Sequence, residues 1–565
     1  MPKQNNIVII GGTACGPKAA ARARRCDPNA KITIIEQGED LSTATCGLPY
    51  YVSGVIDNED IMVARQSDYF KIIMDMEVLT ETRATAIDPG AHTVEIIDLK
   101  TEQRSTVTYD KLVLATGSTP AVPDWKGKDL EGIFTVTDIP DANAIRGYLS
   151  KLGDKKEVVI VGAGLIGLEM AEAFVSKGCH VTILEALDRV LPTLLDPDIA
   201  AHVEKQLQSR GVKVICGQRV SGFQGDENGR VRKVLAGNTG LEADLVLLSL
   251  GVRPDVALAK AAGLAIGATG GLAVNEYLQT SDPDIYAGGD CVENVNLITR
   301  KMMLAPMGST ANKHGRIIGT NVTGGHDTFP GVPGAAIVKV FDYNVGRVGL
   351  NESQAREAGY DTLISIVPAF EHASYYPGAR EIIVKIVAEK STGKLLGGQA
   401  VGMGDAAKRI DVLATALSFG ATVEDLANID LAYAPPYNSA LDPLHHAANV
   451  IRNKLSGYAR TLTPAEVKQK LEEGDRFVLL DVRSPMEWQE QRIEAEQTRL
   501  IPLPMLRRKL GELSRDEEIV IYCQTSVRAY QAQRILDGAG FKNVTFMDGS
   551  LAAWPYETTF KTRGK

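Results

Sequence analysis

Val158-Val159-Ile160-Val161-Gly162-Ala163-Gly164-Leu165-Ile166-Gly167-Leu168-Glu169 passes from four apolar residues into a complete Gly-x-Gly-x-x-Gly turn. The spacing predicts a buried strand, a tight turn and a helix to Lys177 that Gly178 stops. His180-Val181-Thr182-Ile183-Leu184-Glu185 supplies the next strand, ending on a carboxylate. Such a βαβ unit points the N–H groups of its helix start at a pyrophosphate. Glu185 then accepts from a ribose 2′-hydroxyl and repels a 2′-phosphate. Ala186, Leu187 and Asp188 offer no cation, and Arg189 is the first. NADH is therefore expected over NADPH, held by Gly162, Gly164, Gly167 and Glu185.

Working outward, a second such unit stands at the N-terminus. Ile7-Val8-Ile9-Ile10 leads into Gly11-Gly12-Thr13-Ala14-Cys15-Gly16, an Ala/Arg-rich helix from Pro17 to Arg25, and a strand from Ile32 to Ile35. Glu36 follows the turn by ~20 residues, where a ribose needs an acceptor. Thr13 occupies the place of the usual middle glycine. Two further strands end in small-residue turns: Tyr109 to Ser118, through Thr116 and Gly117, and Thr280 to Asp290. Together with the first turn they resemble the flavin-binding segments of the two-dinucleotide-binding-domain flavoproteins. That resemblance implies FAD, with Gly11, Gly12, Ala14, Gly16, Glu36, Thr116, Gly117 and Asp290 as its candidate contacts. It also places Glu169 near the flavin and nicotinamide; the other reading of Glu169 is a helix-start acid favoured by the dipole.

Two nucleotide units in this order make a hydride path that needs an acceptor. Ser42-Thr43-Ala44-Thr45-Cys46-Gly47-Leu48-Pro49-Tyr50 lies just past the strand that closes the first unit. A cysteine there is expected to act as a thiolate on a sulfur–sulfur bond, provided its surroundings lower its pKa. Glutathione-reductase-like members carry Cys-x4-Cys at this point, but Tyr51 stands five after Cys46. A single cysteine then cycles through a mixed disulfide or a sulfenate. Oxidases and peroxidases of the single-cysteine group place a histidine where Ala14 stands, which argues against those activities. The stretch resembles the Ser-Phe-x-x-Cys-Gly motif of coenzyme A disulfide reductases, with Thr43 and Thr45 as departures on the substrate side. Ser42 and Thr45 are candidate substrate contacts. By the same resemblance Arg22 and Arg25 are candidates for the coenzyme A nucleotide; the alternative is a solvated helix face. Cys15, in the phosphate turn, is a weaker candidate for a resolving thiol.

At 565 residues the chain predicts about four domains. Its 44% hydrophobic content is that of a soluble globular protein. A net charge of −9 argues against a nucleic-acid partner. No apolar run approaches the ~20 residues of a membrane span. The start, Met1 to Asn6, lacks the apolar segment of a secretory signal. Seven scattered cysteines, without Cys-x-x-Cys or zinc spacing, read as reduced thiols of a cytoplasmic protein with no metal site. His445-His446 reads as packing or surface.

After the glycine- and proline-rich Gly324 to Gly334 the pattern alternates. Ile337 to Val340 opens it, Glu381 to Val387 and Leu395 to Val401 form a hairpin, and Asp405 to Phe419 is helical. This resembles the family's interface domain, with Ala434-Pro435-Pro436-Tyr437 as its motif, and implies a homodimer. In coenzyme A disulfide reductases tyrosines of this domain approach the cysteine of the second chain. Tyr375 and Tyr433 are the candidates, Tyr376 and Tyr437 their competitors, and interface packing the alternative.

Thr463-Pro464-Ala465-Glu466 starts another helix with a reciprocal cap. Phe477 to Arg483 and Glu518 to Cys523 read as strands of a last α/β domain. Cys523 ends its strand and Arg528 follows it in the loop, an arrangement that activates a thiol. Asp481-Val482-Arg483, the Cys-x4-Arg loop and Met547-Asp548-Gly549 resemble a rhodanese domain, whose cysteine carries sulfane sulfur. The alternative is an inactive docking module.

The expected fold class is α/β: two interleaved Rossmann-type dinucleotide-binding domains, an α+β dimerisation domain and a C-terminal rhodanese-like α/β domain. The expected boundaries are 1–120 and 254–328 for FAD, 121–253 for NADH, 329–457 for dimerisation and 458–565 for the rhodanese-like part. The whole resembles coenzyme A disulfide reductase–rhodanese fusions, which include NADH-dependent persulfide and polysulfide reductases. The implied substrate is a small persulfide, polysulfide or disulfide, with coenzyme A as substrate or bound thiol. A disulfide reductase with a passenger rhodanese, and an FAD-binding redox sensor without turnover, are the alternatives.

Overall fold

A computed structural model describes residues 4–154, 156–237 and 239–560. The first three residues, and with them part of the leader reading, lie outside the described residues. The chain forms two compact units: residues up to 186 with 217–332, and 187–216 with everything from 333 on.

In the first unit a five-stranded parallel sheet orders Ile285–Ala287, Lys111–Leu114, Asn6–Ile10, Lys31–Ile35 and Glu77–Leu79 side by side. Strands from three distant stretches share it, which is the interleaving expected. The middle strands are apolar on both faces because helices cover both, so Ile7, Val8, Ile9, Leu112 and Val113 are fully buried. The second nucleotide unit aligns Ile133–Phe134, Leu245–Leu248, Glu157–Val161 and His180–Leu184 in parallel. The helices after the two glycine turns run Cys15–Cys26 and Leu165–Ser176. The first therefore begins two residues earlier than the pattern suggests, because Cys15 turns inward and is buried.

The second unit holds an antiparallel sheet ordered Ala336–Val340, Tyr343–Gly349, Leu395–Gly402, Glu381–Glu389 and Thr362–Phe370. The hairpin around Lys390 to Gly393 is there. Asp405 caps the helix Ala406–Ser418 by accepting from the Lys408 N–H. A parallel sheet follows in the order Thr461–Leu462, Val544–Met547, Ile519–Tyr522, Val478–Asp481 and Thr498–Leu500. Its first helix starts on the expected reciprocal cap: Glu466 accepts from the Thr463 N–H at 2.7 Å, and Thr463 from the Glu466 N–H at 3.1 Å.

The helix Pro197–Ser209, from the stretch 187–216, packs on the antiparallel sheet through buried charge. Lys385, 1% exposed, donates to Asp198 at 2.9 Å and Glu352 at 3.1 Å and lies 3.0 Å from Asp196. Gln399 donates to Asp196 at 2.6 Å. Lys454, on the helix Pro443–Leu455, reaches Asp548 of the last sheet at 2.6 Å. His445 accepts from the Asp442 N–H and contacts the Ile429 carbonyl, so it closes a helix start. Among the described residues no helix is long and apolar enough to cross a membrane.

Candidate functional site

Both glycine turns put a residue of positive φ where the strand ends: Gly11 at +108° and Gly162 at +107°. A side chain at Gly11 would collide with the Ala115 carbonyl, 2.1 Å from an added Cβ. The helix starts at Ala14 and Gly164 carry no side-chain cap, so their N–H groups stay available to an anion. An added Cβ at Gly164 would meet no heavy atom within 4 Å, which leaves a backbone-lined cradle. Gly16 and Gly167 also let each helix start lie against its turn: a Cβ on either would strike the carbonyl of Gly11 or Gly162. Glu36 accepts from the N–H groups of Gly12 at 2.5 Å and Gly38 at 2.7 Å. Glu185 accepts from the Ala163 N–H at 2.8 Å. Each carboxylate is thus fixed beside its turn. These features fit two dinucleotides.

Thr116 turns its hydroxyl to the Asp255 carbonyl at 2.6 Å, so it braces the turn before Gly117, which has a φ of +73°. Asp290 accepts from Ser118 at 3.2 Å, and burial raises its carboxyl above the usual range.

Ser42 ties the cysteine stretch to the first turn. It sits at a φ of +56°, and its N–H donates to the Gly12 carbonyl at 2.7 Å. Cys46 follows in a single turn, Thr45–Gly47, and is exposed. Its thiol is raised, first by partial burial, then by the negative charges of Glu169 and Asp290. Its own backbone N–H and the Thr45 hydroxyl pull the other way. The sequence leads one to expect a lowered thiol. Instead partial burial, and after it the carboxylates of Glu169 and Asp290, hold the proton on.

Tyr50, one turn beyond Cys46, is a contact the sequence did not disclose. Its hydroxyl donates to Glu169 at 3.4 Å. Burial, then Glu169, push Tyr50 up to about 12. Burial raises Glu169 to about 7, against the Tyr50 hydrogen bond. Cys46, Tyr50, Glu169 and Asp290 are thereby one electrostatic cluster. Cys15 belongs elsewhere: it is buried, and an added Cβ on Gly288 would sit 2.9 Å from its sulfur. Burial and then Cys291 raise its thiol, as expected of a packing cysteine. Arg22 donates from Nε to Thr320 at 2.9 Å, while Arg25 is exposed at the helix end. All seven cysteines are free.

In the second unit the Tyr375 and Tyr433 hydroxyls lie 3.4 Å apart on exposed side chains. The structure pairs the two candidates. Cys523 is fully buried at the end of Ile519–Tyr522; its N–H donates to Ser550 at 3.2 Å. Ser526, at a φ of +74°, turns the loop into the helix Val527–Gly538 and donates to the Met547 carbonyl at 3.1 Å. Arg528 lies beside the thiol, but its fork is held by Glu487 at 2.9 and 2.6 Å. Arg483 and Asp481 make a buried pair beneath the loop at 2.7 Å.

Residues 5–311 match the family of pyridine nucleotide-disulphide oxidoreductases, 335–445 its dimerisation domain, and 463–556 the rhodanese-like domain. A NAD-dependent persulfide reductase from A. fulgidus, a solved structure, is 43% identical, with a TM-score of 0.92, covering 97% of this chain and 100% of that one. A CoA-dependent NAD(P)H sulfur oxidoreductase from Pyrococcus furiosus is 37% identical over 80% of this chain and all of its own length. An NADH oxidase from Methanocaldococcus jannaschii is 36% identical over 80% of this chain and 99% of its own. The family's cofactors are FAD and NAD(H), which the two glycine turns fit. The chain belongs to the pyridine nucleotide-disulphide oxidoreductase family and carries that family's dimerisation domain followed by a rhodanese-like domain.

Proposed function

We propose that the chain is a cytoplasmic, homodimeric flavoprotein that uses NADH to reduce persulfides or polysulfides, such as coenzyme A persulfide, to thiol and hydrogen sulfide. The observation that carries this reading is an exposed cysteine, Cys46, in the stretch that Ser42 ties to the first glycine turn, in a chain that also holds the loop cysteine Cys523. A sulfur carrier fused to the reductase favours sulfane sulfur over a plain disulfide. The relatives named for persulfide and CoA-dependent sulfur reduction support the same choice.

The Cys46 thiolate attacks one sulfur of R–S–S–H. Either hydrosulfide leaves and a mixed disulfide forms, or thiol leaves and Cys46 keeps a persulfide. Returning Cys46 to thiolate and freeing the second fragment takes two electrons, the chemistry that FAD, charged by NADH, would supply when bound. Gly11, Gly12, Ala14, Gly16, Glu36, Thr116, Gly117 and Asp290 would hold FAD. Gly162, Gly164, Gly167, Glu169 and Glu185 would hold NADH. When Glu169 is protonated its repulsion of the thiolate is lifted. Ser42 and Thr45 flank the attacked sulfur, and Arg25, with the more constrained Arg22, meets the nucleotide of coenzyme A. The Tyr375–Tyr433 pair hydrogen-bonds a leaving thiolate in the dimer.

The test is anaerobic NADH oxidation with coenzyme A persulfide, coenzyme A disulfide and polysulfide in parallel, with hydrogen sulfide measured. A preference of about tenfold or more for persulfide or polysulfide, about 1.4 kcal/mol, is expected. A preference for the disulfide would overturn it in favour of thiol balance, and oxygen as the best acceptor in an aerobic control would favour an oxidase.

A further inference from the structure

The rhodanese-like loop Cys523-Gln524-Thr525-Ser526-Val527-Arg528 contains one cation, Arg528. That cation is already paired with a carboxylate, while it also reaches the Cys523 sulfur. Both its Nη atoms donate to Glu487, at 2.9 and 2.6 Å. Glu487 is itself fixed, accepting from the Ser484 N–H at 3.0 Å and hydroxyl at 2.9 Å. Arg483, beneath the loop, is paired with Asp481. Cys523 is fully buried, so any charged group brought to its sulfur loses water.

Sulfane sulfur donors differ in what they bring. Thiosulfate carries two negative charges, and sulfite leaves with both: Cys–SH + S2O3(2−) → Cys–S–SH + SO3(2−). A protonated thiol persulfide brings none at its reacting sulfurs: Cys–SH + R–S–SH → Cys–S–SH + R–SH. In each case one sulfur–sulfur bond breaks, one forms, and no outside oxidant is needed. A free guanidinium fork would suit the sulfonate end of thiosulfate; a fork closed by a carboxylate does not.

We propose that Glu487 determines the donor specificity of this loop: by occupying the fork of Arg528 it denies a dianionic donor its counter-charge, so that Cys523 draws sulfur from thiol persulfides rather than from thiosulfate. This rests on the reading of Cys523 as a sulfur carrier.

The full-length protein is incubated with glutathione persulfide or thiosulfate at equal concentration, and the added sulfur on the Cys523 peptide is followed by mass spectrometry. Loading is expected about tenfold or more faster from the persulfide. Glu487→Gln, which frees the fork, and Gln524→Arg, which adds an unpaired cation while leaving the fork closed, are each expected to raise the thiosulfate-to-persulfide ratio. Equal rates in the parent protein overturn the proposal. So does an unchanged ratio in both variants. If Glu487→Gln loses loading from both donors, the loop has collapsed and Gln524→Arg decides. If the parent takes sulfur from neither donor, the carrier reading itself fails.

Discussion

Replacing Lys385 by Met removes the buried cation that three carboxylates share, of which Glu352 alone also pairs with Arg356. Lys385 is 1% exposed and lies 3.0, 2.9 and 3.1 Å from Asp196, Asp198 and Glu352. At an effective dielectric of about 20, each contact is worth about 4–6 kcal/mol before desolvation and the mutual repulsion of the carboxylates are charged against it. Breaking a buried pair from one side costs about 3–5 kcal/mol net. The loss falls on the docking of Pro197–Ser209 against Glu381–Glu389, so the assay is hydrogen exchange in those two segments. At 1.4 kcal/mol per decade, exchange there rises by roughly two to nearly four orders of magnitude. The pH dependence has a fixed sign. Burial raises the Asp198 carboxyl and Lys385 opposes that rise, so without Lys385 the folded state holds the Asp198 proton more tightly than the unfolded chain does. The deficit therefore grows as pH rises through and above the carboxylate range and shrinks toward pH ~4. Burial already raises Asp198 in the parent protein, in the same direction. Exchange within threefold of the parent at neutral pH would refute the reasoning.

Other perturbations separate fold from function. Gly164→Val adds a side chain where nothing lies within 4 Å. It should keep the fold and the flavin spectrum yet raise the KM for NADH about tenfold or more; an unchanged KM removes Gly164 from the nucleotide site. Glu169→Gln removes one of the two charges that raise Cys46. The pH profile for alkylation of Cys46 should shift toward lower pH, and a profile that stays or moves up contradicts the cluster. Tyr375→Phe and Tyr433→Phe alter exposed hydroxyls, so stability should move by no more than about 0.5 kcal/mol. Persulfide turnover should nonetheless fall by about tenfold or more, and equal turnover would leave the pair as surface.

Local pattern made much of this legible. Gly162 to Gly167 and Gly11 to Gly16 announce strand, turn and helix because the backbone there tolerates nothing else. Thr463 and Glu466 announce a helix start. Cys46 and Cys523 stand out because each follows a strand. What stayed hidden depends on residues far apart in sequence. The helix Pro197–Ser209 packs on the antiparallel sheet on the strength of Asp196 and Asp198 meeting Lys385 nearly two hundred residues later. Ser484 to Glu487 is readable as a capping box, yet nothing local says that Glu487 also closes on Arg528. Tyr50 stands in the quoted motif, but its bond to Glu169 crosses between the two nucleotide units. The raised Cys46 thiol has the same origin: the fold partly buries the cysteine and brings Glu169 and Asp290 to it.

The central claim is that Cys46 is the sulfur-attacking group of a reductase. The most direct measurement is anaerobic NADH oxidation with coenzyme A persulfide by Cys46→Ser beside the parent protein, with the flavin spectrum recorded for both. The account predicts turnover lowered about a thousandfold or more with FAD still bound. Turnover within a few fold of the parent, with hydrogen sulfide still released, would contradict it.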